Sequence, residues 1–303
     1  MKFWVTGSDG SLGSELVVQL KLNFPELEIL TPKRFELDLT KKEDVLSYIS
    51  HHQPTHVFHL AARVYGIAGH KQNPSASYFE NTLIDLNVFD GLMKHPPIWM
   101  YYSSTVAAYG YPFNALPLQE DSWESGVPHE SEYGYAMSKR HSLTTLELLQ
   151  KLGATNFVYG LTTNLFGKGD RFLSGRGHVV VSLLEKARIA REANSELEVW
   201  GDGTASRDFL STIDASRILM DLIDQNIGVV NIASGQEIYI KDIADHIVNE
   251  FKIDKGLKFL GINQGIPNRV CDVQKINQYS VYSNTVDSKK SLWEEISTVA
   301  LSS

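Results

Sequence analysis

The spacing of apolar residues divides the first half of the chain into alternating short strands and longer helices. Predicted strands lie at 2–6, 28–30, 55–60, 98–104 and 155–160, and predicted helices lie at 11–22, 42–50, 78–94 and 135–149. In the first helix, Leu12, Leu16 and Leu20 recur at helical spacing and are expected to face a sheet. Strands and helices that alternate in this way are typical of a parallel sheet with helices on both faces.

A glycine-rich loop joins the first predicted strand to the first predicted helix. Gly7, Gly10 and Gly13 are spaced three residues apart in this loop. Glycines let the backbone approach a pyrophosphate, and the free N–H groups at a helix N-terminus favour an anion. Placed between a strand and a helix, the loop predicts a dinucleotide-binding, Rossmann-type doubly wound parallel sheet in the α/β class.

The regular alternation ends near residue 167. We predict that residues 1–167 form mainly the dinucleotide-binding Rossmann domain. Residues 168–303 are predicted to form mainly a smaller mixed α/β substrate-binding cap, with segments near 208–235 returning to the first domain. The long polar stretch at 109–131 is expected to be a lid or substrate loop, because irregular segments of that length are usually functional.

Tyr135 and Lys139 lie one helical turn apart and face the same side. A phenol has an unperturbed pKa of about 10, and an adjacent ammonium favours the phenolate. We therefore expect Lys139 to lower the pKa of Tyr135 and to bring its proton within reach of transfer. Upstream, a predicted strand ends in Ser103, Ser104 and Thr105, whose hydroxyls could hold a carbonyl oxygen while Tyr135 protonates it. Taken alone, the Tyr–Lys spacing would be better explained as a chance surface pair, but the glycine loop favours a catalytic role.

The second predicted strand is followed by Lys33 and Arg34. A fold that prefers NAD usually places a carboxylate near this point for the ribose hydroxyl. Two cations suit a 2′-phosphate instead, so we predict NADPH as the cofactor. The alternative is a solvated basic turn.

Composition narrows the class of protein. The chain has 303 residues, 43% of them hydrophobic and 21% charged, which suits one or two domains with a substantial core. A net charge of −8 argues against a general nucleic-acid surface. With a single cysteine, Cys271, no internal disulfide can form, and a buried apolar role is expected for it. No apolar run is long enough to span a bilayer, and the first strand leaves no room for a signal peptide, so we predict a cytoplasmic protein without a membrane partner.

Together these motifs resemble the extended, sugar-nucleotide-modifying branch of the short-chain dehydrogenase/reductase superfamily. Further segments resemble the GDP-L-fucose synthase family; they lie at 36–39, 61–67, 163–167, 177–179, 199–203, 206–210 and 267–273. Enzymes of that family invert C3 and C5 of GDP-4-keto-6-deoxymannose and then reduce C4 with NADPH. The resemblance implies a small-molecule GDP-sugar substrate, a cofactor NADP(H), no metal, and a homodimer formed through a bundle that includes the Tyr135 helix.

The resemblance also assigns residues. Ser103, Tyr135 and Lys139 would carry out reduction, and His178 would be one acid/base of epimerisation or would only orient the substrate. The cofactor would contact Gly7, Asp9, Gly10, Ser11, Leu12, Gly13, Lys33, Arg34, Asp38, Leu39, Leu60, Ala61, Ala62, Tyr135 and Lys139. The substrate would contact Ser104, Asn164, His178, Val179, Lys186, Trp200, Arg207 and Arg269. In the long helix, Asn81 and Asn87 could serve either the core or the site.

One position departs from the family pattern. Thr105 stands where the family has a cysteine, its second epimerisation residue. A thiol with a pKa of about 8.5 exchanges protons near neutrality, whereas an unactivated alcohol is a far weaker acid. We therefore predict an NADPH-dependent C4-ketoreductase of a GDP-4-keto sugar, either a deoxyhexose or a heptose. Two alternatives stay open: the full epimerase-reductase, with His178 or water replacing the thiol, and a non-catalytic nucleotide-binding regulator.

Overall fold

A computed structural model of the protein describes residues 1–64, 73–153, 155–167, 179–261 and 265–302. Its strands are β1 (Lys2–Thr6), β2 (Glu28–Leu30), β3 (His56–His59), β4 (Trp99–Thr105), β5 (Asn156–Thr162), β6 (Asn164–Phe166), β7 (Leu197–Val199), β8 (Ser206–Arg207), β9 (Phe209–Ser211), β10 (Gly228–Ile232), β11 (Ile238–Tyr239), β12 (Leu257–Phe259) and β13 (Asn268–Arg269). Its helices are α1 (Ser11–Asn23), α2 (Lys42–His52), α3 (Pro74–Lys94), α4 (Tyr133–Lys151), α5 (Val179–Glu192), α6 (Thr212–Asp221), α7 (Ile240–Phe251) and α8 (Ser288–Ser302).

Six parallel strands form the main sheet in the order β2-β1-β3-β4-β5-β10. Helices α2, α3 and α4 cover one face of this sheet, and α1 and α6 cover the other. From β1 the chain runs to β2 on one side and then crosses back to β3 on the other side, so a crevice opens at the carboxyl ends of β1 and β3. The predicted Rossmann-type doubly wound α/β fold is confirmed.

A smaller group of elements packs around its own apolar core. Helices α5, α7 and α8 enclose this core together with β7, β9 and β11. Short pairings of two or three residues tie the group together: β7 with β12, and β8 with β11 and β13. We propose that this group is the substrate cap.

The segment at 109–131 is irregular, as predicted, but much of it is packed. Leu118 and Trp123 are buried in the main core. The Arg140 guanidinium on α4 donates hydrogen bonds to the carbonyls of Ala108, Trp123 and Gly126 at 2.6–3.0 Å. These bonds tie the segment to the helix that carries Tyr135.

Across the described ranges, none of the helices is both long and apolar enough to cross a membrane.

Candidate active site

A cleft of about 840 Å³ opens at the carboxyl edge of the main sheet and extends to the smaller group of elements. The predicted site residues on its wall are Gly7, Gly10, Ser11, Leu12, Gly13, Leu60, Ala62, Ser103, Ser104, Thr105, Tyr135, Asn164, Val179, Lys186, Trp200, Arg207 and Arg269. Other predicted residues lie off this wall: Asp9, Lys33, Arg34, Asp38, Leu39, Ala61 and Lys139. His178 lies outside the described residues.

The glycine loop is shaped by contacts that side chains would prevent. Gly7 has a φ of +68°, and an added Cβ there would lie 3.0 Å from the Ala61 backbone. An added Cβ on Gly13 would lie 2.1 Å from the Gly7 carbonyl oxygen. The loop therefore folds tightly over the start of α1, where free backbone N–H groups can bind an anion.

The two predicted cofactor cations lie at the carboxyl end of β2, beside the glycine loop at the same edge of the sheet. Lys33 and Arg34 are both exposed, and the Glu36 carboxylate accepts a hydrogen bond from the Lys33 backbone at 2.7 Å. The Asp38 carboxylate is engaged within its own turn. Its Oδ1 accepts hydrogen bonds from the Thr40 backbone N–H at 3.0 Å and from the Thr40 hydroxyl at 2.8 Å. These bonds lower the pKa of Asp38.

The three hydroxyls at the end of β4 have different surroundings. Ser104 is buried and donates to the Tyr159 hydroxyl at 2.8 Å, and Tyr159 in turn donates to the Lys139 carbonyl at 2.9 Å. Thr105 accepts a hydrogen bond from the Ala107 backbone at 3.1 Å. Successive residues of a strand point to opposite faces of the sheet. Ser103 and Thr105 therefore lie on the face of β4 opposite to Ser104. The Ser104 hydroxyl thus serves the core, although its residue borders the cleft.

The environment of Tyr135 differs from the prediction. Burial raises the pKa of Tyr135, and the Asp85 and Glu132 carboxylates raise it further. The expected lowering by Lys139 is therefore wrong for this structure. Burial also lowers the pKa of Lys139, against the opposing effect of Asp85. Tyr135 consequently holds its proton across the physiological range, as a proton donor must.

At the cap side, Arg207 and Arg269 lie on the same wall. Arg269 pairs with the Glu132 carboxylate at 2.8 Å, and both side chains are largely buried. Burial, reinforced by the Arg269 charge, lowers the pKa of Arg207 to about 10. The two guanidiniums and the Glu132 carboxylate together carry a net positive charge, which suits an anionic group of a substrate.

The remaining predicted substrate residues line the cleft beside these arginines. Lys186 lies over the Trp200 ring, 4.8 Å from its centroid, and Trp200 is 72% exposed. Asn164 donates to the Asp208 carbonyl at 2.9 Å, which fixes the side chain at the start of β6. An exposed indole of this kind offers a flat surface to an aromatic ring.

The sequence did not indicate a role for Glu132 or Asp85, two carboxylates whose charges raise the pKa of Tyr135. Asp85 had a detectable signal, since it lies on the same stripe of α3 as the buried residues Val88 and Leu92. Glu132 precedes α4 in a polar stretch and had no such signal.

The two asparagines of α3 bind the backbone of loops and are not on the cleft wall. Asn81 accepts a hydrogen bond from the Arg63 backbone at 2.7 Å and donates back to the Arg63 carbonyl at 3.1 Å. Asn87 donates to the Leu39 carbonyl at 2.9 Å. These hydrogen bonds hold two loops at the carboxyl edge of the sheet, so the asparagines support the site without contacting the cleft.

Comparison with known proteins agrees with this geometry. Residues 3–233 match the model of the NAD dependent epimerase/dehydratase family. The chain belongs to this family. A GDP-L-fucose synthase from Sinorhizobium fredii is 30% identical over 250 residues, which cover 82% of this chain and 78% of the relative. The predicted resemblance is therefore confirmed.

Two solved structures share the fold. A GDP-mannoheptose C4 reductase from Campylobacter jejuni with NADP bound has a TM-score of 0.83 and 22% identity, over 99% of this chain and 97% of that one. A GDP-L-fucose synthetase from Naegleria fowleri bound to NADP has a TM-score of 0.86 and 21% identity, over 99% and 94% of the two chains.

Proposed function

We propose that this protein is an NADPH-dependent reductase of the C4 keto group of a GDP-4-keto sugar, either a deoxyhexose or a heptose. The observation that carries the proposal is the shared cleft of Ser103, Tyr135 and the glycine loop. A proton donor and a dinucleotide loop in one cleft are the two components that carbonyl reduction requires.

The residues present fit NADPH. The N-terminus of α1 and the loop around Gly7 would hold the pyrophosphate, and Lys33 and Arg34 would pair with the 2′-phosphate. Bound NADPH would supply the hydride to C4. These residues orient the cofactor and take no part in proton transfer.

The polar residues at the end of β4 and the start of α4 would handle the C4 oxygen. The Ser103 hydroxyl would donate to this oxygen, and Tyr135 would deliver the proton as charge develops on it. Donation by a phenol whose pKa is raised becomes favourable once the developing alkoxide is the stronger base. Lys139, directly below Tyr135 on the helix, would stabilise the resulting phenolate.

The substrate class is supported by charge and by relatives. Arg207 and Arg269 would face the diphosphate of the sugar nucleotide, while Trp200 and Lys186 would contact its base. The relative and the two structural neighbours are named for GDP-sugar synthesis or reduction. These names give no support to a non-catalytic regulator.

A second candidate is the bifunctional epimerase-reductase, which the name of the Sinorhizobium fredii relative favours. It would require His178 or water to act where Thr105 replaces the family cysteine. Thr105 caps a turn through its bond to the Ala107 backbone. A hydroxyl used in this way makes a poor acid/base, so reduction without epimerisation remains our first candidate.

We also propose a homodimer. The outer sides of α3 and α4 expose a set of large apolar side chains: Phe79 (68%), Leu83 (44%), Leu86 (50%), Tyr133 (46%) and Leu148 (48%). A second copy would bury them. Sedimentation equilibrium should give twice the chain mass, and Leu86→Glu should shift the protein towards the monomer.

The experiment that tests the function is the absorbance of NADPH with a GDP-4-keto sugar. The proposal expects oxidation of NADPH that depends on the substrate and is lost in Tyr135→Phe. Tyr133→Phe is the matched control, since it removes a neighbouring exposed hydroxyl. If Tyr133→Phe and Tyr135→Phe retain equal activity, the proposed proton donor is wrong.

A further inference from the structure

We infer that Asp85 is a positioning residue of the active site, which holds the Lys139 side chain as an ammonium beneath Tyr135 and connects it to the cofactor loop. The inference rests on the proposed function in one respect: that function assigns Lys139 to the reaction. Asp85 lies on α3, off the cleft wall, and acts through other side chains.

Asp85 and Lys139 are both buried, each with 1% of its surface exposed. The carboxylate accepts hydrogen bonds from the Tyr102 hydroxyl and from the Ser142 hydroxyl, the latter at 3.0 Å, and His59 Nε2 lies 3.0 Å from its other oxygen. The Lys139 Nζ lies 4.7 Å from the centroid of the Tyr102 ring. Tyr102 therefore stands between the two charges, with its hydroxyl on the anion and its ring against the cation.

The hydrogen-bond roles of the His59 ring nitrogens follow from its neighbours. Thr6 Oγ1 accepts hydrogen bonds from the backbone N–H groups of Leu60 and Ala61, both at 3.1 Å. With its lone pairs used, the Thr6 hydroxyl donates its hydrogen to His59 Nδ1 at 2.7 Å. His59 Nδ1 is then an acceptor, so the ring hydrogen sits on Nε2 and points at Asp85. In this arrangement His59 Nε2 donates to one Asp85 oxygen, and the Asp85 carboxylate also acts on the Lys139 ammonium.

The electrostatics agree with this pairing. Burial opposes the charge on Asp85, but the Lys139 ammonium and the bonds from His59 and Tyr102 outweigh it and hold the pKa of Asp85 below its ordinary value. Burial lowers the pKa of Lys139, and Asp85 acts against that change. Two buried opposite charges that compensate each other in this way are costly to separate, because removal of one leaves the other desolvated and uncompensated.

Other titratable groups surround the pair. Tyr102 on β4 and Tyr159 on β5 have strongly raised pKa values, chiefly through burial, and remain neutral. Burial lowers the pKa of His141 on α4, and Lys139 lowers it further while Asp85 raises it. Tyr135 also feels the Asp85 charge. The charge balance around Lys139 therefore depends on Asp85.

The same network reaches the cofactor loop. Thr6 immediately precedes Gly7, and the backbone groups that it binds belong to Leu60 and Ala61, where β3 ends. A continuous series of hydrogen bonds thus runs from the edge of the dinucleotide site through His59 to Asp85 beneath α4. Asp85 would thereby fix the position of the Lys139 side chain relative to the cofactor loop.

The first test needs no substrate. We would measure urea unfolding of Asp85→Asn, Lys139→Met and the double variant. The inference expects each single variant to unfold at lower urea than the parent, and the double variant to be clearly less destabilised than the sum of the two. Additive effects would overturn the pairing of Asp85 with Lys139.

The second test uses the pH profile of NADPH-dependent turnover with a GDP-4-keto sugar. Asp85→Asn removes the negative charge that keeps Lys139 protonated, so its alkaline limb should move to lower pH by about one unit or more. Turnover should fall about tenfold or more at neutral pH. Asp85→Glu should restore the limb, and Asp90→Asn should leave it unchanged, because Asp90 lies on the same helix but pairs with Lys42 and Lys94 at the surface.

The two tests separate the inference from the proposed function. Coupling in the unfolding cycle without turnover in the parent protein would refute the reductase and keep the Asp85–Lys139 pair. Turnover with an unmoved alkaline limb in Asp85→Asn would refute the role of Asp85 and keep the reductase.

Discussion

Glu132→Gln is predicted to lower the stability of the protein and to tighten its binding of GDP. The Glu132–Arg269 pair has an N–O distance of 2.8 Å, with side-chain exposures of 12% and 5%. Glutamine keeps an acceptor of the same size in place but removes the charge. Arg269 is then left beside Arg207 without compensation, while the cleft gains one positive charge for an anionic ligand.

The expected magnitude follows from this burial. Loss of one partner of a buried pair costs about 3–5 kcal/mol, and a hydrogen bond to a charged group contributes about 1 kcal/mol more than a neutral one. Since glutamine retains the bond, we expect a loss of about 1–3 kcal/mol in the free energy of unfolding, and about 3–5 kcal/mol for Glu132→Ala. In a chain of 303 residues, each kcal/mol lowers the melting temperature by about 1–2 °C.

Thermal unfolding with and without GDP measures both effects. The melting temperature of Glu132→Gln should be lower than that of the parent without GDP, and its increase on addition of GDP should be larger. The control is Glu294→Gln, whose partner Lys290 is 71% exposed, so that solvent screens the pair and its loss should change stability little. Equal melting temperatures for Glu132→Gln and the parent, with equal responses to GDP, would refute the reasoning.

Three further predictions concern the reaction and its cofactor. Tyr135→Phe should reduce turnover roughly a hundredfold or more, the usual contribution of a general acid, with NADPH affinity retained in a fluorescence titration. Reversal of Lys33 and Arg34 to Glu should weaken NADPH much more than NADH; equal losses for both cofactors would indicate a solvated turn. Gly13→Ala should abolish binding of either cofactor by calorimetry, because the new methyl group would lie 2.1 Å from a backbone oxygen.

The elements of the main sheet were accessible from the sequence because local pattern and fold agree there. The period of Leu12, Leu16 and Leu20 marks the buried face of α1, and all three are buried. The glycine spacing likewise indicates a close backbone approach. The smaller core was less accessible, since β8, β11 and β13 are two residues long and exist only through pairing with distant segments.

The charge state of the site could not be predicted from spacing alone. The four-residue separation of Tyr135 and Lys139 indicates that the two side chains are adjacent on the helix. It does not indicate the burial or the two carboxylates that raise the pKa of Tyr135. Those carboxylates come from α3 and from the residue before α4. Their effect depends on how helices pack across the sheet, which no local pattern records.

The central claim is tested most directly by NMR of the product formed in deuterated water. The protein would be incubated with a GDP-4-keto sugar, first alone and then with NADPH. Our account predicts little deuterium at C3 and C5 in the first stage and a C4 hydroxyl in the second, with hydrogen from NADPH at C4. Rapid exchange at both C3 and C5 before NADPH is added, abolished by His178→Asn, would support the bifunctional enzyme, and a C4 keto group left unreduced would contradict the account.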